Sequence, residues 1–68
     1  MADPIETRVI REVEALTDTE TFLRYYGGSL GARREIANGH VPSADDVAWM
    51  KREIAESMLY EERRRLAS

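Results

Sequence analysis

The stretch that decides the fold is the last third of the chain, Ser43–Leu66, which reads SADDVAWMKREIAESMLYEERRRL. Ser43 is a favoured N-cap residue, and the two aspartates two and three residues later complement the positive end of a helix dipole. No glycine or proline interrupts the stretch, and the three arginines near its end complement the negative end of the dipole. The sequence therefore predicts one long helix over residues 44–66.

This helix has two apolar sides. The principal stripe recurs at intervals of three and four residues, as expected for one helix face, and consists of Val47, Met50, Ile54 and Met58. Ala48, Ala55, Leu59 and Leu66 widen it on one side. Trp49 and Tyr60 fall roughly opposite that stripe, about three helical turns apart. A short chain has little interior with which to cover both sides, so we expect one of them to remain open.

Two helical segments are predicted at the start of the chain. Asp3 can cap the first, with Pro4 in the first turn, and a stripe of Ile5, Val9, Val13 and Leu16 predicts a helix over residues 4–16. Thr17 and Glu20 have the spacing of a capping box, which predicts a second helix over 18–26. Since no glycine or proline separates the two, a single bent helix is an alternative.

A third short segment follows the pair Gly27-Gly28, which ends the second helix. Ser29 can cap it, and Asn38-Gly39 can end it, so we expect a helix over residues 30–38. Its few apolar residues, Leu30, Ile36 and Ala37, predict a position at the surface.

Length and composition favour one all-α domain, residues 1–68, built as a small bundle of three to four helices with a long C-terminal helix. The chain has 68 residues, no cysteine and one histidine, which argues against disulfides, thiolate zinc sites and imidazole-rich metal sites. A core of this size supplies only about 3–5 kcal/mol. We therefore expect regular helix packing combined with association with another chain.

The charges are interleaved rather than segregated. The net charge is −3, which lacks the basic footprint of most nucleic-acid-binding domains. No secretory leader, membrane-spanning run or lipidation motif is evident in the sequence. We expect a cytoplasmic protein that does not bind membranes.

The candidate partner-binding residues are the two aromatic residues of the long helix and the arginines near them: Trp49, Tyr60, Arg52, Arg63 and Arg64. Tryptophan, tyrosine and arginine are enriched at the energetic centres of interfaces. The alternative interpretation is that Trp49 and Tyr60 lie at the boundary of the core, each with an apolar body and a polar tip.

A DNA-binding alternative rests on Arg33 and Arg34, which follow the glycine pair in a segment that loosely resembles a helix-turn-helix. Setting Gly27 at the turn puts Arg33 where such a motif normally packs an apolar residue inward, and the acidic net charge also argues against it.

Catalysis is not predicted. His40, Ser43, Asp45 and Asp46 lie close in sequence, but capping explains Ser43 and the aspartates, and the chain has little room for an enclosed pocket. No cofactor or metal is predicted. The function that we expect is a protein–protein interaction module that docks helix faces on another protein, and that forms a homo-oligomer, most simply a homodimer, when alone. An accessory or structural protein of a phage or mobile element is a third alternative.

Overall fold

The computed structural model describes residues 3–67, which form four helices and, within that range, no strand. The helices are α1 (Pro4–Glu14), α2 (Asp18–Tyr25), α3 (Leu30–Ala37) and α4 (Ala44–Ala67). This arrangement confirms the predicted all-α bundle with a long C-terminal helix.

Helix α4 is the element on which the bundle is built. Its N-terminus is capped by the Ser43 hydroxyl, which accepts a hydrogen bond from the N–H of Asp46 at 3.1 Å. Helices α1 and α2 both pack against α4, whereas α3 packs mainly against α2. The ammonium of Lys51 donates to the carbonyl of Glu14 at 3.2 Å, at the end of α1 nearest the start of α4. Helix α1 therefore runs antiparallel to α4.

Helix α1 ends at Glu14, two residues before the predicted end at residue 16. The N–H of Ala15 still bonds to the carbonyl of Arg11, but the N–H of Leu16 bonds to the carbonyl of Val13, which is one residue closer. The backbone thus tightens and leaves the α-helical path at this point.

The predicted capping box forms at the start of α2. The Thr17 hydroxyl accepts from the N–H of Glu20, and the Glu20 carboxylate accepts from the N–H of Thr17, both at 3.1 Å. Because Thr17 has an extended backbone, α1 and α2 are separate helices and the alternative of one bent helix is wrong. Helices α2 and α3 each end one residue before the predicted boundary, and α4 ends one residue after it.

The core consists of two small clusters along α4. Val9 and Val13 of α1 pack with Ile54, and Ile5, Leu16 and Met58 are among the side chains that surround them. Phe22 of α2 packs with Met50 and with Ala32, which is the buried residue of α3. Leu30, one of the apolar residues that we expected to define α3, is 60% exposed.

The protein is elongated and exposes more surface than its mass requires. Its radius of gyration is 13.5 Å, against about 11 Å for a compact domain of this length. Its accessible surface is 5113 Å², whereas a compact monomer of 7.8 kDa exposes about 4,400 Å². Much helix surface is therefore left uncovered by the chain's own residues.

Candidate interaction surface

The side of α4 opposite its buried stripe carries both of its aromatic residues. Trp49 is 38% exposed and Tyr60 is 64% exposed, while Val47, Met50 and Ile54 are buried on the inner side. At 100° per residue, Trp49 and Tyr60 lie within about 20° of each other around the helix, and more than about 100° from Ile54. We call this side the outer face of α4. It comprises Trp49, Tyr60 and the charged residues that flank them, Asp45, Asp46, Arg52, Glu53, Glu56, Arg63 and Arg64.

Trp49 is fixed between α2 and its own helix. Its ring meets the ring of Tyr25 nearly edge-to-face, with centroids 4.9 Å apart and planes at 85°. Its indole N–H points to the Asp46 carboxylate at 3.4 Å, which is a long and weak hydrogen bond. The tryptophan is therefore oriented by two neighbours while much of its surface stays open to solvent.

The aromatic contacts continue from Trp49 across the end of α2. Tyr25 packs edge-on against Tyr26 at 5.0 Å, and Tyr26 packs against Phe22 at 4.9 Å. Phe22 is buried, but both tyrosines are exposed. We call the three exposed rings, Tyr25, Tyr26 and Trp49, the aromatic surface.

Sequence reasoning missed the two tyrosines of this surface and grouped Trp49 with Tyr60 instead. Tyr25 and Tyr26 come directly before the glycine turn, so they lie at the end of a helix, where exposure is common. The adjacent Tyr-Tyr pair was the available signal. Its proximity to Trp49 depends on where α2 crosses α4.

Tyr60 lies about 16 Å along the helix from Trp49, with Glu56 one turn before it and Arg63 and Arg64 one turn after it. Arg64 is exposed here. Arg63 forms a salt bridge to the Asp3 carboxylate at 3.2 Å, which ties the start of α1 to the end of α4. The N–H of Ile5 and then the Arg63 guanidinium lower the pKa of Asp3. Arg63 therefore has an intramolecular role that the sequence did not reveal.

A second charged contact joins the same two helices. The Glu62 carboxylate lies 3.0 Å from the Arg8 guanidinium and 2.8 Å from that of Arg65. Partial burial raises the pKa of Glu62, but the two arginines outweigh it, so that this pKa is lowered. Arg52, the remaining candidate arginine, is exposed on α4 one turn after Trp49.

A shallow groove between α2 and α4 adjoins the aromatic surface. Its volume is about 360 Å³, and its lining residues are Arg24, Tyr25, Glu53, Ile54, Ser57 and Met58. The Arg24 guanidinium approaches the sulfur of Met58 at 3.8 Å across it. The groove continues from the rings toward the middle of α4, and its lining is half charged or polar.

The two arginines of the DNA-binding alternative have different surroundings. The Nε of Arg33 donates to the carbonyl of Gly28 at 2.8 Å, so its side chain folds back on the turn before α3. Arg34 is exposed on α3. The structure does not bring either residue to the outer face of α4.

His40 and Ser43, which lie close in sequence to Asp45 and Asp46, take part in packing and capping. His40 stacks at an angle on Phe22 with centroids 5.0 Å apart, and Ser43 caps α4. In residues 3–67, no group of three or more histidine, aspartate or glutamate side chains is placed to hold a metal ion. The same part of the chain has no helix with the length and apolarity needed to cross a bilayer.

Comparison with protein-family models, with curated proteins and with solved structures finds no match to this chain.

Proposed function

We propose that this chain is a non-catalytic interaction module of the cytoplasm, which binds another protein through the outer face of α4 and the adjoining aromatic surface. Helix α4 contributes both to the core and to the exposed aromatic side chains. Such an arrangement suits a small subunit, adaptor or inhibitor that docks a preformed helix face on a larger protein.

The observation that carries this proposal is the ring-on-ring packing of Tyr25, Tyr26 and Trp49 at the surface. The three rings are 36–48% exposed, yet each contacts at least one of the others. Rings that are already oriented lose little side-chain freedom on binding, which lowers the entropic cost of an interface. Large aromatic side chains of this kind carry much of the binding energy of protein complexes.

The charges beside Trp49 indicate which kind of partner fits. Asp45, Asp46 and Glu53 are all exposed and lie three or four residues from Trp49, so they are its neighbours on the helix. Arg52 is the basic residue at the same level. A complementary partner presents apolar or aromatic side chains together with arginine or lysine.

The proposal is tested by affinity capture from the native cell with the wild-type chain and two variants. Tyr25→Ala/Trp49→Ala removes two of the three exposed rings, and we expect it to lose the captured partner. Leu30→Ala/Val41→Ala removes two exposed apolar side chains away from that surface, and we expect it to keep the partner. Circular dichroism establishes that both variants are folded.

A partner that binds the ring-deleted variant as well as the wild type would contradict the proposal. So would a partner that is lost equally with both variants, since the aromatic surface would then have no special role.

The DNA-binding alternative makes a separate prediction. Binding through Arg33 and Arg34 would be strongest at low salt and would fail in the Arg33→Ala/Arg34→Ala variant. The intramolecular bond of Arg33 to the turn leaves this alternative with Arg34 alone as a fully available contact. A gel shift at low salt with no retarded band would dispose of it.

A further inference from the structure

The two halves of the outer face of α4 have opposite charge. Around Trp49, the flanking residues at the start of the helix are Asp45 and Asp46. Around Tyr60, the flanking residues at the end of the helix are Arg63 and Arg64. Each half has one exposed aromatic ring at its centre. The half around Tyr60 therefore has an aromatic ring beside arginines, which is the chemistry that we assigned above to a partner of the half around Trp49.

We propose that the partner of this face, when the chain is alone, is a second copy of the chain, with the two α4 helices antiparallel. Along α4, the two-fold axis lies at the level between residues 54 and 55. At this level Trp49 of each copy lies opposite Tyr60 of the other. This inference rests on the proposed function, because it names an occupant for the same surface. The interface is isologous and closes with two chains.

The charged residues at both edges of the face match in this register. At 100° per residue, Asp45, Arg52, Glu56 and Arg63 lie on one side of the line from Trp49 to Tyr60, and Asp46 and Arg64 lie on the other. In the antiparallel pair, Asp45 lies beside Arg63 of the second copy, and Arg52 lies beside its Glu56. On the other edge, Asp46 lies beside Arg64 of the second copy. The two-fold axis makes each of these three contacts twice, and each of the three joins opposite charges. Glu53 lies on the same edge as Asp46, and Glu53 and Glu56 each come near their own copy across the axis.

The molecule as a whole exposes more area than its mass requires. The accessible surface exceeds that of a compact monomer of the same mass by about 700 Å². A stable interface of ordinary size buries about 800 Å² per partner. Tyr25 of α2 packs on Trp49 at the edge of this face, so it would border the contact between the two α4 helices.

One contact distinguishes this register from any other arrangement. Asp46 and Arg64 are 18 residues apart on the same helix, which places them about 27 Å apart within one chain. They can approach only across the two-fold axis. Arg63 is less suitable for a test, because it also holds Asp3 of its own chain.

The test is sedimentation equilibrium of the full chain and three variants at low ionic strength. We expect the wild type to dimerise. Asp46→Arg and Arg64→Asp each turn two attractive contacts into repulsive ones, and we expect each to raise the dimer dissociation constant about tenfold. The double variant Asp46→Arg/Arg64→Asp restores opposite charges, and we expect a dissociation constant within about threefold of the wild type.

Asp46 lies in the first turn of α4, so its replacement by arginine also opposes the helix dipole. Circular dichroism on the same samples separates a loss of helix from a loss of association. A second measurement leaves Asp46 in place. In the otherwise cysteine-free chain, Glu56→Cys puts two thiols close to the axis, and we expect a disulfide-linked dimer on oxidation. Glu12→Cys, exposed on α1, is the matched control and should remain largely unlinked.

A wild-type chain that stays monomeric would overturn the proposed dimer. So would a double variant whose dimer dissociation constant is as high as those of the single variants, if residue 56 also forms no cross-link. Neither result bears on binding of another protein, which the affinity capture with Tyr25→Ala/Trp49→Ala measures separately. If affinity capture finds no partner while the dimer and its rescue by the double variant are observed, the proposed dimer stands and the proposed binding of another protein is contradicted.

Discussion

The two sides of α4 are built from different kinds of apolar residue. The inner side buries branched aliphatic and thioether side chains, represented by Ile54 at 7% exposure, against α1 and α2. The outer side carries Trp49 and Tyr60, whose rings are 38% and 64% exposed and which each have a polar atom as well as an apolar ring. Burying an aliphatic side chain lowers the free energy of the folded chain. Tyrosine and tryptophan can lie either exposed to water or buried in an interface. The helix thus has one side that folds the chain and one side that stays exposed.

The largest expected effect lies on the inner side. Ile54→Ala removes the α4 side chain that packs between Val9 and Val13, and we expect a loss of about 2–4 kcal/mol in the free energy of unfolding. Since a core of this size supplies only about 3–5 kcal/mol, the variant should be largely unfolded. Circular dichroism in a urea titration measures this.

Tyr60→Ala is the matched substitution on the outer side, and we expect it to change the free energy of unfolding by less than about 0.5 kcal/mol. Equal losses of unfolding free energy in Ile54→Ala and Tyr60→Ala would show that the outer side contributes as much to folding as the inner side.

The glycine turn between α2 and α3, beside the aromatic surface, provides a second comparison, in which we expect effects of intermediate size on stability. Gly28 has a φ of +70° and its N–H closes the end of α2 on the carbonyl of Leu23 at 2.8 Å. Gly28→Ala should cost about 1–2 kcal/mol, because a side chain disfavours this left-handed conformation.

Gly31 lies inside α3, and an added Cβ there meets open space. Gly31→Ala should therefore stabilise the protein by about 0.5–1 kcal/mol through its higher helix propensity. Thermal unfolding of the two variants checks the opposite signs, and a stabilising Gly28→Ala would show that the turn is not strained in this way.

The smallest expected effect concerns the charged contacts that join the helix ends. The pKa values of Asp3, Glu20 and Glu62 are all lowered in the folded chain. Below the ordinary pKa of these groups, about 4, the unfolded chain binds more protons than the folded one, so stability falls as the pH is lowered further. Thermal unfolding between pH 7 and 3 should show this fall only at the acid end. Asp3→Asn should make the fall shallower, and an unchanged slope would mean that neither the Ile5 N–H nor Arg63 holds the Asp3 carboxylate in solution.

The contrast between the two sides also explains how far sequence reasoning reaches here. The caps of Asp3, Thr17, Ser29 and Ser43 act on the next few residues, so each helix start followed from local chemistry. The inner stripe of α4 followed from helical periodicity, because a buried face repeats at the same interval as the helix.

Contacts between distant parts of the chain could not be derived in the same way. The approach of Tyr25 to Trp49, and that of Asp3 to Arg63, depend on the angles and positions at which α1 and α2 cross α4. Ala32 illustrates the same limit, since a small side chain gives no periodic signal, yet its size lets α3 approach Phe22 and Met50 closely. The candidate site was therefore predicted at Trp49, while its neighbours on α2 were not.

The central claim is that the outer face of α4 is exposed and mediates association, and one variant tests it directly. Trp49→Ala/Tyr60→Ala removes both aromatic residues of that face, and its helicity, unfolding free energy and sedimentation can be measured on a single preparation. We predict a folded chain that loses no more than about 1–1.5 kcal/mol, with the Tyr25 contact as the main loss, and that no longer self-associates. A chain that unfolds would assign both residues to the core. A folded chain that still dimerises like the wild type would show that the outer face of α4 is not where the copies meet.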